Sequence, residues 1–175
     1  MVESEFYELI TGYKNKVYNT CLGLVKNHED AEDLAQEVFL EAYSKWKTFR
    51  GDSKKSTWLY RIAVNKSLEH LRRQKRSKRS GTHVDINEFS DTIEGRFYHP
   101  GVALEDKERS AILFGAIDRL PEDQQVAFTL LKVEGLSLRE IAQIMKKSSS
   151  SVESLIHRAK QNLRKKLNAY YEKEG

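Results

Sequence analysis

The chain is short of cysteine, of proline and of long apolar runs. Its single cysteine, Cys21, excludes an intramolecular disulfide framework and any multi-cysteine zinc site. Set at helical spacing among Tyr18, Leu22 and Val25, it fits a buried structural thiol, with a redox sensor as the alternative. Two prolines and nine glycines in 175 residues leave little to interrupt helices. No apolar run approaches the roughly 20 residues that span a bilayer. The N-terminal MVESEFYELI lacks the basic and apolar stretches of an export signal, which predicts a cytoplasmic chain with no membrane insertion. The five histidines, His28, His70, His83, His99 and His157, show no HExxH or comparable ligand spacing, and neither a phosphate-cradling glycine loop nor a nucleophile elbow is present. A metal-dependent hydrolase therefore has nothing to carry it; no catalytic residue, metal or cofactor is expected.

What is present is helical periodicity and clustered charge. The net charge is only +4, yet Leu71 to Ser80 reads LRRQKRSKRS and Arg158 to Lys166 reads RAKQNLRKK, while acidic residues gather at Glu29 to Glu41 and Asp85 to Asp106. Phe6, Leu9, Ile10, Tyr13, Val17, Cys21 and Leu24 form the stripe of a first helix. Ala31, Leu34, Ala35, Val38, Phe39, Ala42, Tyr43 and Trp46 mark a second, whose other faces carry Glu32, Asp33, Gln36, Glu37 and Glu41. The stretch from Phe49 to Ser56, FRGDSKKS, has turn chemistry, after which Trp58, Leu59, Ile62, Ala63, Leu68 and Leu71 resume a helix. From Gln74 to about Leu104 periodicity lapses, and helix returns at Glu105 to Arg119 and again from Pro121, placed at the first helical position, to Val133 before Gly135. The expected architecture is all-α: two small helical domains, residues 1–76 and 105–172, joined by a flexible linker, 77–104.

The segment Leu136 to Leu167, LSLREIAQIMKKSSSSVESLIHRAKQNLRKKL, spells two helices and a turn. Ser137 with Glu140 and Ser150 with Glu153 have the spacing of capping boxes. Leu138, Ile141, Ala142 and Met145 predict one buried stripe, and Val152, Leu155, Ile156, Ala159 and Leu163 the other. Small Ala142 suits a close crossing. The outward side of the second helix offers Ser151, Ser154, His157, Arg158, Lys160, Gln161 and Arg164, side chains that bond phosphates and base edges. On pattern alone this segment is either a DNA-reading helix-turn-helix or an amphipathic hairpin with a solvated basic face.

The blocks DAEDLAQEVFLEAY, then FRGDSKKSTWLYRIAVNKSLEHLRR, then a linker, then LPEDQQVAFTLLKVEGLSLREIA with its helix-turn-helix, closely resemble the extracytoplasmic-function class of bacterial sigma factors, group 4 of the sigma-70 family. The resemblance covers nearly all the chain except the linker. It implies a non-enzymatic initiation factor that binds core RNA polymerase through the beta-prime and beta subunits, melts the minus-10 promoter element with region 2 and reads minus-35 with region 4. It also implies a response to envelope or environmental stress and an anti-sigma partner. Asp33, Gln36, Glu37 and Glu41 then become the polymerase contact, where pattern alone would also allow a solvated acidic face. Phe49 becomes a wall for a flipped minus-10 base, Asn65 its hydrogen-bonding partner, and Lys54, Lys55 and Arg61 phosphate contacts, with Arg72 and Arg73 of the basic run on duplex just upstream. Core packing remains the alternative for Phe49 and for Trp58. Ser151, Ser154, His157, Arg158 and Lys160 match positions facing the minus-35 major groove. Glu153 departs from the basic residue common there, and its place in the second capping box removes it from the base readers. The linker is implied to thread the polymerase cleft. A stand-alone transcription regulator with the same helix-turn-helix is the rival; unlike a sigma factor, it would bind its promoter without core polymerase.

Overall fold

The computed structural model describes residues 2–79 and 112–174. Three helices make the first domain: α1 (Val2–Val25), α2 (His28–Lys45) and α3 (Lys55–Arg79), with a single 3-10 turn, Trp46–Thr48, between the last two. Residues 112–118 are helical, and α4 (Glu122–Lys132), α5 (Leu138–Met145) and α6 (Ser149–Glu174) complete the second domain. Among the described residues there is no strand, and the all-α, two-domain expectation holds. Helix α3 continues to Arg79, three residues past the boundary expected at 76. The acidic linker, and the start of the helix expected from Glu105, lie outside the described residues.

The first core is the one the periodicity predicts. Phe6, Leu9, Val17 and Cys21 of α1 meet Ala31, Leu34, Val38 and Ala42 of α2 and Leu59, Ile62 and Ala63 of α3, all buried. Asn27 starts α2 by accepting the Asp30 N–H on its side chain at 2.9 Å. Trp46, expected on the face of α2, falls in the 3-10 turn and packs against this core with Trp58. Burial pushes the Cys21 thiol up to about 11, so it stays protonated and unreactive. The structural-thiol expectation fits that environment.

In the second domain, Pro121 proves to be the residue before α4 and not its first; its carbonyl accepts the Gln125 N–H at 2.9 Å. Ser137 caps α5 as expected, accepting the Glu140 N–H at 3.2 Å. The second expected box does not form: α6 is capped by Ser148, which accepts the Ser151 N–H at 3.1 Å, and Ser150 lies inside the first turn. Four serines in a row offer equivalent hydroxyls, and the left-handed backbone of Lys146 (φ 54°) sets which one arrives at the cap position. The stripe of α5 is also shifted: Ile141, Ala142 and Ile144 are buried, whereas Leu138 is exposed. Along α6, Val152, Ile156, Ala159 and Leu163 are buried as predicted, and Leu155 is half-buried.

The two domains lie against each other. Leu24 of α1 and Tyr60, Val64 and Leu68 of α3 share one apolar cluster with Val126, Leu130, Ile141, Ile144, Val152 and Ile156. Helix α3 thus buries two faces, one in its own domain and one on the other, which is why Tyr60 and Val64 fall outside its amphipathic stripe. Buried Lys26, in left-handed conformation (φ 59°) at the end of α1, forms an ion pair with Asp118.

Candidate protein and nucleic-acid interfaces

The acidic helix presents a mixed surface. Leu34 and Val38 point into the core, which turns Asp33, Gln36 and Glu37 outward and leaves them exposed. Glu41 is half-buried, its carboxylate 2.6 Å from Lys45 Nζ and 3.1 Å from Lys66 Nζ, and Lys66 Nζ also stands 3.7 Å from the exposed Glu37 carboxylate. The hydrogen bond from Lys45 holds its pKa below the ordinary value. Its charge is already compensated within the domain. Between these groups stand Leu40, 70% exposed, and Tyr43, 54% exposed, whose ring meets Phe6 edge-on at 5.2 Å. Sequence reasoning omitted Leu40, although a leucine between exposed acidic positions on α2 was a visible signal.

The loop after the 3-10 turn gathers aromatic rings. Phe49 is half-buried, stacked on Trp46 at 6.3 Å and tilted against Trp58 at 4.8 Å, with Lys55 Nζ 5.1 Å from the Trp46 ring centre. Lys54 and Asn65 are exposed. A cavity of about 500 Å³ opens here, lined by Gly51, Asp52, Ser53, Lys54, Arg61 and Gln143. Arg61 donates from Nε and Nη2 to the Gln143 carbonyl at 3.0 and 2.6 Å, and Arg72 donates to Glu122 at 2.5 Å. Both acceptors belong to the second domain. Arg73 pairs with Glu69 of its own helix at 2.5 Å.

On α6, Ser151, Ser154, His157, Arg158 and Lys160 are all exposed; the 3.6-residue repeat sets Ser154, His157 and Arg158 opposite Val152, Ile156 and Ala159, with Ser151 and Lys160 at the two margins of that exposed side. Ser154, His157 and Arg158 therefore share one helix face, flanked by the other two. Glu153 is exposed beside them, and with Ser148 as the cap its structural role lapses. It returns to the groove-facing candidates, where a carboxylate can accept from cytosine N4.

Among the described residues no group of three or more His, Cys, Asp or Glu could hold a metal ion. His28 pairs with the Tyr18 hydroxyl at 2.6 Å, and His70 bonds Asp30 at 3.1 Å and Gln74 at 3.0 Å. His83 and His99 lie outside the described residues. No helix among these residues is long and apolar enough to cross a membrane.

Comparison with known proteins agrees with this division. Residues 9–77 match the family model of Sigma-70 region 2 and residues 104–163 that of Sigma-70 region 4. The chain is 36% identical over 162 residues to the RNA polymerase sigma-H factor of Pseudomonas aeruginosa, covering 91% of this chain and 84% of the relative. It is 33% identical to the ECF RNA polymerase sigma factor SigW of Bacillus subtilis, over 94% of this chain and 90% of the relative. It is 36% identical to the ECF RNA polymerase sigma-E factor of Escherichia coli, over 94% and 87%. Its fold is similar to that of the sigma factor RpoE of Bartonella quintana, solved with the anti-sigma factor NepR (TM-score 0.72, 23% identity, 94% and 97% covered). It is also similar to that of CnrH, solved with the cytosolic domain of CnrY (TM-score 0.66, 21% identity, 95% and 90% covered). Joined to the acidic helix, the aromatic loop and the exposed polar side of α6, these matches place the chain in the extracytoplasmic-function group of the sigma-70 family, non-enzymatic factors that direct RNA polymerase to promoters.

Proposed function

We propose that three faces divide the work of initiation. The α2 surface of Asp33, Gln36 and Glu37, with Leu40 among them, docks on a basic coiled coil of the largest polymerase subunit, charge setting the register and the leucine supplying apolar contact. Glu41 serves as the internal partner of Lys45 and Lys66, holding α2 on α3. Phe49, Lys54, Lys55, Arg61, Asn65, Arg72 and Arg73 form the minus-10 side, in which the aromatic shelf of Phe49, Trp46 and Trp58 gives an unstacked base a surface to stack on. Ser151, Ser154, His157, Arg158 and Lys160, together with Glu153, read the minus-35 groove.

The observation that carries this proposal is that every minus-35 candidate on α6 is exposed, with Ser154, His157 and Arg158 opposite the buried stripe. The chain is proposed to work in the cytoplasm, to respond to envelope or environmental stress, and to be held by an anti-sigma factor, as RpoE is in its solved complex. The test is in vitro transcription with core polymerase, with start sites mapped, beside gel shifts of the same promoter with and without core. Sequence-specific starts and a shift that requires core are expected. Equally tight binding by the free chain would favour the stand-alone regulator.

A further inference from the structure

Glu153 is exposed on α6 and is the only acidic residue of that helix before Glu172. None of the ordinary supports of a helical carboxylate reaches it. With Ser148 as the cap, the first turn ends before Glu153, so neither the cap nor the positive end of the helix dipole holds it. Its neighbours three and four residues away are Ser149, Ser150, Ile156 and His157, with no lysine or arginine among them. Among the described residues it enters no ion pair, although the same helix carries Arg158, Lys160, Arg164, Lys165 and Lys166.

The helical repeat sets Glu153 in one row with His157, Lys160 and Arg164, at i, i+4, i+7 and i+11, all of them exposed. The row is about 16 Å long, with the acid at its N-terminal end and lysine and arginine at the other. A recognition helix brings its N-terminal residues to base edges, and phosphates flank the groove it enters. Beside a phosphate the carboxylate would meet like charge with nothing to offset it; Lys160 and Arg164 suit that position instead.

Over the base edges the major groove offers a carboxylate two donors, the amino groups at cytosine N4 and adenine N6. Guanine shows acceptors at N7 and O6, and thymine an acceptor and a methyl group. Adenine sets its N7 acceptor next to the amino group, where the second carboxylate oxygen would face a lone pair. Cytosine has no acceptor on its own major-groove edge. The chemistry therefore selects cytosine.

We infer that Glu153 is a specificity-determining residue for the minus-35 element, accepting a hydrogen bond from the N4 amino group of one cytosine and rejecting guanine and thymine at that position. The inference rests on the reading of α6 as the minus-35 helix and adds the base that its one acid selects. The element recognised by this chain then contains a G·C pair turned so that the cytosine meets the carboxylate; the reverse orientation sets O6 and N7 of guanine against it.

The test uses the full-length chain assembled with core polymerase, on a promoter mapped with that holoenzyme and randomised across its minus-35 element. Bound fragments are selected and sequenced for the native chain and for Glu153→Gln, Glu153→Arg and Arg158→Ala. The native factor should prefer cytosine at one position by about five- to tenfold over the other bases, the lower part of the range for a good base contact. Glu153→Gln should move that preference to adenine, whose N6 and N7 an amide pairs, and Glu153→Arg should move it to guanine, with the remaining positions unaltered. A profile identical in the native chain and both Glu153 variants overturns the inference. So does a Glu153→Gln variant that binds every sequence more tightly by one common factor, the sign of phosphate repulsion alone. Arg158→Ala keeps the two levels apart: if it changes the profile and the Glu153 variants do not, the minus-35 reading stands and the cytosine contact falls; if no variant changes it, the reading falls as well. Helix content by circular dichroism should be native in all three, because both positions are exposed.

Discussion

Leu40 sits where a leucine has no internal reason to be. At 70% exposure it contributes little to the core, so Leu40→Ala should leave the unfolding transition almost unmoved, within about 0.5 kcal/mol. On the proposed docking face its contribution would come from the surface that covers it. Full burial of a leucine side chain is worth about 1.5–3 kcal/mol. With seven-tenths of the residue still open, docking can recover about 1–2 kcal/mol of that. The expected loss of core-polymerase affinity is therefore about five- to thirtyfold in Kd. Competition of the variant against fluorescently labelled native chain for core enzyme reads this directly. Salt separates the apolar contribution from the ionic one: raising ionic strength screens Glu37 and Asp33 but should leave the Leu40 increment standing. A change within about twofold, while Gln36→Ala with Glu37→Lys still abolishes binding, would show that the docking face stops short of Leu40.

Two other outcomes follow from local chemistry. Ser148→Ala should destabilise region 4 by about 1 kcal/mol through loss of the cap, whereas Ser150→Ala should be neutral or slightly stabilising; urea unfolding that ranks them the other way would restore the expected capping box. Glu134 should make the contact between the two domains depend on pH. Its Oε1 is buried and its Oε2 accepts from Tyr60, and burial raises its pKa although the Tyr60 hydrogen bond, then Thr20 and Lys16 of α1, pull the other way; Tyr13 and Glu140 also face Tyr60. A raised pKa where the domains pack together means that its contribution to that contact is full below the ordinary carboxylate range and is lost as pH rises through the raised value. Acidification should therefore shrink the native chain in scattering, and Glu134→Gln should remove that dependence; an identical pH response in the variant would exclude Glu134 as its source.

The parts of this structure that were legible in advance are those governed by periodicity. Leu34 and Val38, or Val152 and Ile156, repeat at helical spacing because one neighbouring surface covers them, and burial follows the pattern. Tyr60 and Val64 broke the pattern because α3 has a second partner whose position depends on the other domain. Gly23 has no sequence signature at all: its meaning lies in an atom of Thr129, 106 positions away in the numbering but 2.8 Å from the absent Cβ. The serine run failed for another reason, since propensity cannot choose among identical hydroxyls and the conformation of Lys146 does. Among the site residues, Glu41 looked equivalent to Glu37 until its burial and its close Lys45 partner were seen, Lys66 standing between the two, and Leu40 was passed over because charge drew the attention.

Helix α6 keeps its packing apart from the side proposed to read DNA: Val152, Ile156, Ala159 and Leu163 hold the domain together, while Ser151, Glu153, Ser154, His157 and Arg158 stand exposed. The exposed positions can thus be exchanged at little thermodynamic penalty, so that, under the proposed reading, promoter choice could be altered by substitutions on one surface without refolding the domain.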